Sequence, residues 1–127
     1  MSHKQTGMLI ATLFLARELA HREHLKVSGP GSYAVHAGAT GPFYDAIGGL
    51  ADTLAETYQG IFDVTLDIPL ATQTGDLSII DTLAGQLDYI HEVRYDAIPR
   101  DWSCLHNIVD EIEALYGQTL YRLRKLA

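Results

Sequence analysis

Apolar positions along the chain fall into four blocks with helical spacing, separated by two short breaks and one long one. Residues 5–27 form the first block, with good helix formers throughout and Leu13, Ala16, Ala20, His24 and Val27 on one stripe. Ser28-Gly29-Pro30-Gly31 stops it. A second helix is predicted from Ser32 through Val35 and His36, and it must kink, bulge or restart at Pro42, which has no N–H to give and crowds the preceding turn. From Phe43 to Tyr58 the stripe Phe43, Ile47, Leu50, Leu54 and Tyr58 is strongly helical, and Gly60 is expected to end it.

Residues 61–76 are β-branched and broken by proline, too long for a hairpin connection. Such a segment suits the crossover of a four-helix bundle, carrying the chain to the opposite end so that the second and third helices run parallel. The third helix is expected over 77–95, capped by Asp76, with Ile80, Leu83, Leu87 and Ile90 facing the core. Pro99 breaks it. The fourth runs over 101–126, with an apolar wall that includes Leu105, Val109, Ile112, Tyr116 and Leu120. The expected fold is a single all-α domain spanning 1–127, a four-helix bundle.

Composition narrows the function classes. A formal net charge of −7 argues against general nucleic-acid binding, which needs clustered Lys and Arg to neutralise phosphates. The basic Arg122-Leu-Arg-Lys125 run is explained by its place at a helix C-terminus, where cations are favoured. Met8–Ala16 mimics a signal-peptide core, but no small-residue cleavage site follows and charged helix continues directly, so an intracellular protein without a membrane segment is expected. Cys104, the single cysteine, rules out an internal disulfide and reads as a small buried apolar residue.

The chemistry-bearing residues concentrate between Arg17 and Gly60. His21, His24 and His36 lie there, followed by an acidic stripe of Asp45, Asp52 and Glu56 that also carries Gly49. Imidazoles and carboxylates together suit divalent iron or zinc. Adjacent Gly48 and Gly49 inside a helix, each costing about 1 kcal/mol relative to alanine, point to close approach by another backbone or a ligand. Glu18 with His21, and Asp88 with His91, are acid and imidazole pairs at i,i+3, each as readily a solvated surface pair as a site. His106, Asp110 and Glu111 read as polar surface.

His24-Leu-Lys-Val-Ser-Gly-Pro-Gly-Ser-Tyr-Ala-Val-His36 resembles the H-W-N-V-x-G-P-x-F-x-x-x-H signature of Dps, the ferritin-like DNA-binding protein from starved cells, and Asp52-Thr-Leu-Ala-Glu56 resembles its D-x-x-A-E. The resemblance covers the first two helices; the last two match in length and pattern. Compact size, Ala55-Glu-Thr-Tyr-Gln-Gly60 and the sequences Asn107–Ile112 and Thr119–Leu123 are closer to small Dps-like proteins of bacteriophages.

The resemblance implies a ferritin-like bundle in a homo-oligomer, a cage among the forms open to it, located in a host cytoplasm or a virion. It implies a metal site between subunits, His24 and His36 from one chain facing Asp52 and Glu56 of its two-fold partner, which binds iron and oxidises it with peroxide or oxygen. Departures are Leu25 for the signature tryptophan, Thr40 for the acid four residues after the second histidine, and a lysine-poor N-terminus. A bundle that has lost the metal chemistry and serves as a phage structural or host-interaction protein is the competing reading.

His36 and Asp52 are also one residue further apart than in the signature. One residue turns a continuous helix by about 100°, so the extra residue would mis-aim either the histidine or the acids unless it is absorbed locally. A π-bulge or broken turn between Gly38 and Phe43, next to Pro42, is the expected place.

Overall fold

The computed structural model describes residues 2–73 and 75–125. Every regular element among them is helical: α1 (Lys4–Lys26), α2 (Ser32–Val35), a π-helical turn (His36–Thr40), α3 (Gly41–Phe62), α4 (Ile79–Ala97) and α5 (Ser103–Lys125). The second helix of the sequence reading is thus α2, the π turn and α3 in one continuous run. α1 packs on α3 and α4, and α5 packs on the same two helices, so α1 lies diagonally across from α5 and α3 across from α4.

Side-chain contacts fix the directions. At the start of α1, His3 Nδ1 lies 2.6 Å from the Tyr58 hydroxyl near the end of α3, and the Thr6 hydroxyl donates to the carbonyl of Ala97 at the end of α4. α1 is therefore antiparallel to both, and α3 and α4 run the same way.

Buried positions follow the stripes. Leu9, Ile10, Leu13, Ala16 and Ala20 of α1 meet Phe43, Ile47, Ala51, Leu54 and Tyr58 of α3, with Leu83 and Ile90 of α4 and Leu105, Val109, Ile112 and Tyr116 of α5 closing the core. Tyr116 carries a polar atom into this core and satisfies it by donating to Gln86 Oε1 at 2.9 Å, while its ring meets Phe43 edge-on. Burial raises the Tyr116 phenol far above its ordinary value, so it acts only as a donor here.

Several boundaries shift from expectation for identifiable reasons. Gly60 does not end α3, because the break is made by Asp63 in the left-handed region (φ 52°) with its N–H on the Gln59 carbonyl. Gln59 then holds the crossover with its side chain, accepting from the Leu66 N–H at 2.8 Å. Asp76 does not cap α4; Ser78 does, its hydroxyl accepting from the Asp81 N–H at 3.1 Å. Cys104 is exposed rather than buried, on the outer side of the first turn of α5.

A constraint that periodicity did not reveal is Gly7. The carbonyl of Asp67 in the crossover occupies the place where a Cβ would stand, so the strap crosses α1 in direct contact with its backbone. Gly7→Ala is expected to displace the strap and cost about 1–3 kcal/mol, a fall in Tm of roughly 4 °C per kcal/mol. Gly60→Ala, with open space around it, should leave Tm unchanged or raise it. Thermal melts of the two variants followed by helical circular dichroism check this.

Candidate functional site

The turn between α1 and α2 returns the chain alongside itself. Gly29 and Gly31 adopt left-handed backbone (φ 87° and 84°), which lets Ser32 N–H bond the Gly29 carbonyl and start α2 from Gly31. His36, twelve residues after His24, thereby comes to lie against it. Their rings stack with centroids 3.6 Å apart and planes 22° from parallel.

The π turn sets this geometry. In α register the His36 carbonyl would accept from Thr40; here it accepts from Gly41, one residue later, which takes up one extra residue. Thr40 supports the wider turn, its buried hydroxyl donating across five residues to the Val35 carbonyl at 3.1 Å. That is a role for Thr40 which a carboxylate, having no proton to donate, could not fill. Pro42 eases the irregularity because it offers no N–H to either register. The irregular turn spans 36–40, beginning two residues earlier than the expected 38–43.

Reciprocal hydrogen bonds lock the two histidines. His36 Nδ1 lies 3.0 Å from the His24 carbonyl, and His24 Nδ1 lies 3.3 Å from the His36 carbonyl. Carbonyl oxygens only accept, so both Nδ1 atoms carry hydrogen, and in the neutral rings both Nε2 atoms keep a free lone pair. Histidines that ligate metals are commonly held this way, with the non-ligating ring N–H given to a backbone carbonyl.

Tyr44 and His21 extend the cluster. His21 stacks on Tyr44 at 4.5 Å, and His24 meets the same ring edge-on at 5.1 Å. Tyr44 stands outside both the apolar and the acidic stripe, which is why periodicity did not select it. Its sequence signal is its place one turn after Gly41, where the returning chain passes alongside α1.

The two acids lie elsewhere on the same chain. Asp52 and Glu56 are exposed, one turn apart on α3. With 1.5 Å of rise per residue, Asp52 lies about 16 Å and Glu56 about 22 Å along the helix from Gly41, which sits at the level of the histidine pair. Among the described residues no group of three or more His, Cys, Asp or Glu within one chain is placed to hold a metal ion. Asp52 instead lines a surface groove of about 360 Å³ with Phe14, Arg17, Asp45, Gly48 and Gly49. The two glycines are not pressed by another backbone within the chain. Arg17 lies over Gly48, its Nε 3.0 Å from a notional Cβ, and Gly49 faces open space.

The i,i+3 pairs do not form. Glu18 takes Arg22 at 2.9 Å, and His91 turns from Asp88 to Glu113 of α5 at 2.8 Å. His106, expected at the surface, is buried, because Arg94 of α4 enters the bundle to meet it. Arg94 donates from Nε to His106 Nδ1 at 3.2 Å and from a terminal nitrogen to the His106 carbonyl at 2.7 Å, and it pairs with Asp110 and Glu113. His106 Nε2 then donates to the carbonyls of Ile98 and Pro99. Every member has partners, and the network ties the turn after α4 to α5.

No known protein family, curated protein or solved structure matches this chain. No helix among the described residues is long and apolar enough to cross a membrane.

Gly41 is the sharpest test of the histidine clamp. A Cβ there would stand 2.6 Å from the His36 carbonyl, the atom that receives both the Gly41 N–H and the His24 ring. Gly41→Ala is expected to cost about 1–3 kcal/mol and to separate the two rings, whereas Gly38→Ala, in open space three residues earlier, should be neutral or stabilising. Thermal melts combined with histidine ring chemical shifts distinguish the two outcomes.

Proposed function

We propose that this protein is a Dps-like, ferritin-like bundle that binds ferrous iron, or zinc, between two copies of the chain, with His24 and His36 from one copy and Asp52 and Glu56 from the other. The reciprocal clamp on His24 and His36 carries the proposal. It spends both Nδ1 protons on backbone carbonyls and leaves two Nε2 lone pairs, the form in which imidazole binds a divalent ion. Supporting it are the parallel α3 and α4 joined by a long crossover, and the π turn, an irregularity that recurs at functional sites. Two imidazoles and two carboxylates fit iron or zinc as a donor set, and their separation along one chain means that only a second copy could complete it.

In such a site ferrous iron, as the substrate, would be oxidised to ferric iron as peroxide or oxygen is reduced, giving iron sequestration, whereas zinc, which has no redox chemistry, would only be held. The chain's own residues keep both Nδ1 atoms on carbonyls and both Nε2 atoms free in the unbound pair, and they present two carboxylates on an exposed face of α3.

One observation favours a second reading, a bundle without metal chemistry that acts in a phage structure or on a host protein. Rings stacked at 3.6 Å cannot both aim in-plane lone pairs at one ion, so His24 and His36 would have to turn apart to bind it together. Metal titration separates the two readings.

Complementation between two defective chains is the decisive form of that titration. His24→Ala/His36→Ala and Asp52→Ala/Glu56→Ala should each abolish tight ferrous or zinc binding. After the two are mixed and re-associated, half of the dimers are mixed and each carries one whole site of two, so about a quarter of the wild-type stoichiometry should return. Binding that survives in either parent, or that fails to return in the mixture, would overturn the inter-subunit site.

A further inference from the structure

We propose that the groove between α1 and α4, under the arriving crossover, is a binding site for an uncharged, flat heteroaromatic molecule that seats an acceptor atom on the side-chain amide of Gln86. The groove measures about 470 Å³, within the roughly 300–1,000 Å³ of small-molecule sites. None of the residues lining it belongs to the histidine cluster or the acidic stripe, so the site stands apart from both readings above. Its walls are Met8 and Leu15 of α1 and Leu77 ahead of α4, and Met8 and Leu77 are 43% and 58% exposed. Gly85 leaves one side of the groove bare, with nothing within 4 Å of a notional Cβ, so a flat ring has room to lie against the α4 backbone beside Gln86.

Gln86 supplies the recognition. It is only 9% exposed and yet lines the groove, because its amide is shared between the core and the groove. Tyr116 has one proton to give and burial keeps that phenol protonated, so the Gln86 carbonyl must be the end that faces the core. The NH2 end is left with no hydrogen-bond partner among the described residues. No sealed side-chain nitrogen or oxygen among them lacks a partner, so this nitrogen is reached from the groove. Two N–H donors at the floor of an apolar groove favour a molecule that returns an acceptor to them while covering the walls.

The other polar groups narrow the chemistry. Thr12 gives its proton to the Met8 carbonyl at 3.0 Å and receives the Tyr89 hydroxyl, so both hydroxyls at that end are engaged. Gln73 of the crossover donates to the Thr82 hydroxyl at 3.2 Å, which fastens the strap as the far wall. Asp81 is the one charged side chain among the described lining residues, and its carboxylate disfavours an anion. A cation would have to lie against the Gln86 N–H groups, which offer it only positive hydrogens. An uncharged acceptor on an apolar ring meets all of these conditions.

Isoquinoline and naphthalene test the site, since they share a shape and only the first carries an acceptor nitrogen. In titrations of the full chain near neutral to mildly alkaline pH, followed by side-chain amide proton–nitrogen spectra, isoquinoline should bind about 3- to 10-fold more tightly than naphthalene and move the Gln86 NH2 signals downfield. Gln86→Met/Tyr116→Phe, which removes the donor without orphaning the buried phenol, should make the two affinities equal. Gly85→Leu should abolish binding of both while Tm holds or rises, because leucine enters open space and favours helix more than glycine does. Absence of saturable isoquinoline binding, equal affinities in the wild-type chain, a preference that persists in Gln86→Met/Tyr116→Phe, or a Gly85→Leu chain that binds as before would overturn the proposal. So would tighter binding of 2-naphthalenesulfonate than of isoquinoline, or a fall in the mass measured by sedimentation on Gly85→Leu, which would mean that a second copy covers the groove.

Discussion

The carbonyl oxygen of His36 is the atom on which the histidine cluster depends. It receives the Gly41 N–H, which defines the π turn, and the His24 ring, which joins α1 to that turn. Its position also forbids a side chain at residue 41. A carbonyl has two lone pairs, so both bonds are compatible, but moving the oxygen to suit either partner alone loses the other. An irregular helical turn, a glycine and a ring orientation are thereby one coupled constraint. Tyr44, and through it His21, is arranged around the same point.

Much of the scaffold was legible because it rests on periodic burial. The stripes through Leu13, Ala16 and Ala20, through Phe43, Ile47, Leu54 and Tyr58, and along α5 are buried as their spacing requires, and the long connection between Phe62 and Ile79 leaves few ways to join α3 to α4. The π turn was legible for a different reason. Pro42 has no N–H and crowds the preceding turn, which makes a regular helix expensive at that place, and the chain takes the cheaper route. What escaped was set by partners distant in sequence. Arg94 and His106 are both polar at margins of their helices, and only their meeting lets them leave the surface. Gly7 is one more glycine in a helical run until the crossover lies on it.

The candidate site divides along the same line. His24 and His36 are brought together by a local turn, so their pairing could be anticipated from a short motif; the clamp through Nδ1 and the contribution of Tyr44 could not, because they depend on how α1 and α3 pack. Asp52 and Glu56 share an exposed face, as their spacing dictates. Within the one chain they stand apart from the histidines, and the proposed relation across two chains comes only from the family resemblance. The Arg94 network, by contrast, belongs to the scaffold. It fastens the opposite pair of helices, α4 and α5, and its polar atoms are spent on one another.

Ring nitrogen shifts of the histidines measure the clamp itself. In a two-bond proton–nitrogen correlation spectrum at a pH where the imidazoles are neutral, His24 and His36 should both appear as the Nδ1–H tautomer, the minor form of a free histidine, and both should revert to the Nε2–H form in Gly41→Ala. Finding the Nε2–H tautomer at either residue in the wild-type chain would contradict the reciprocal hydrogen bonds, and with them the claim that the π turn prepares two free Nε2 atoms.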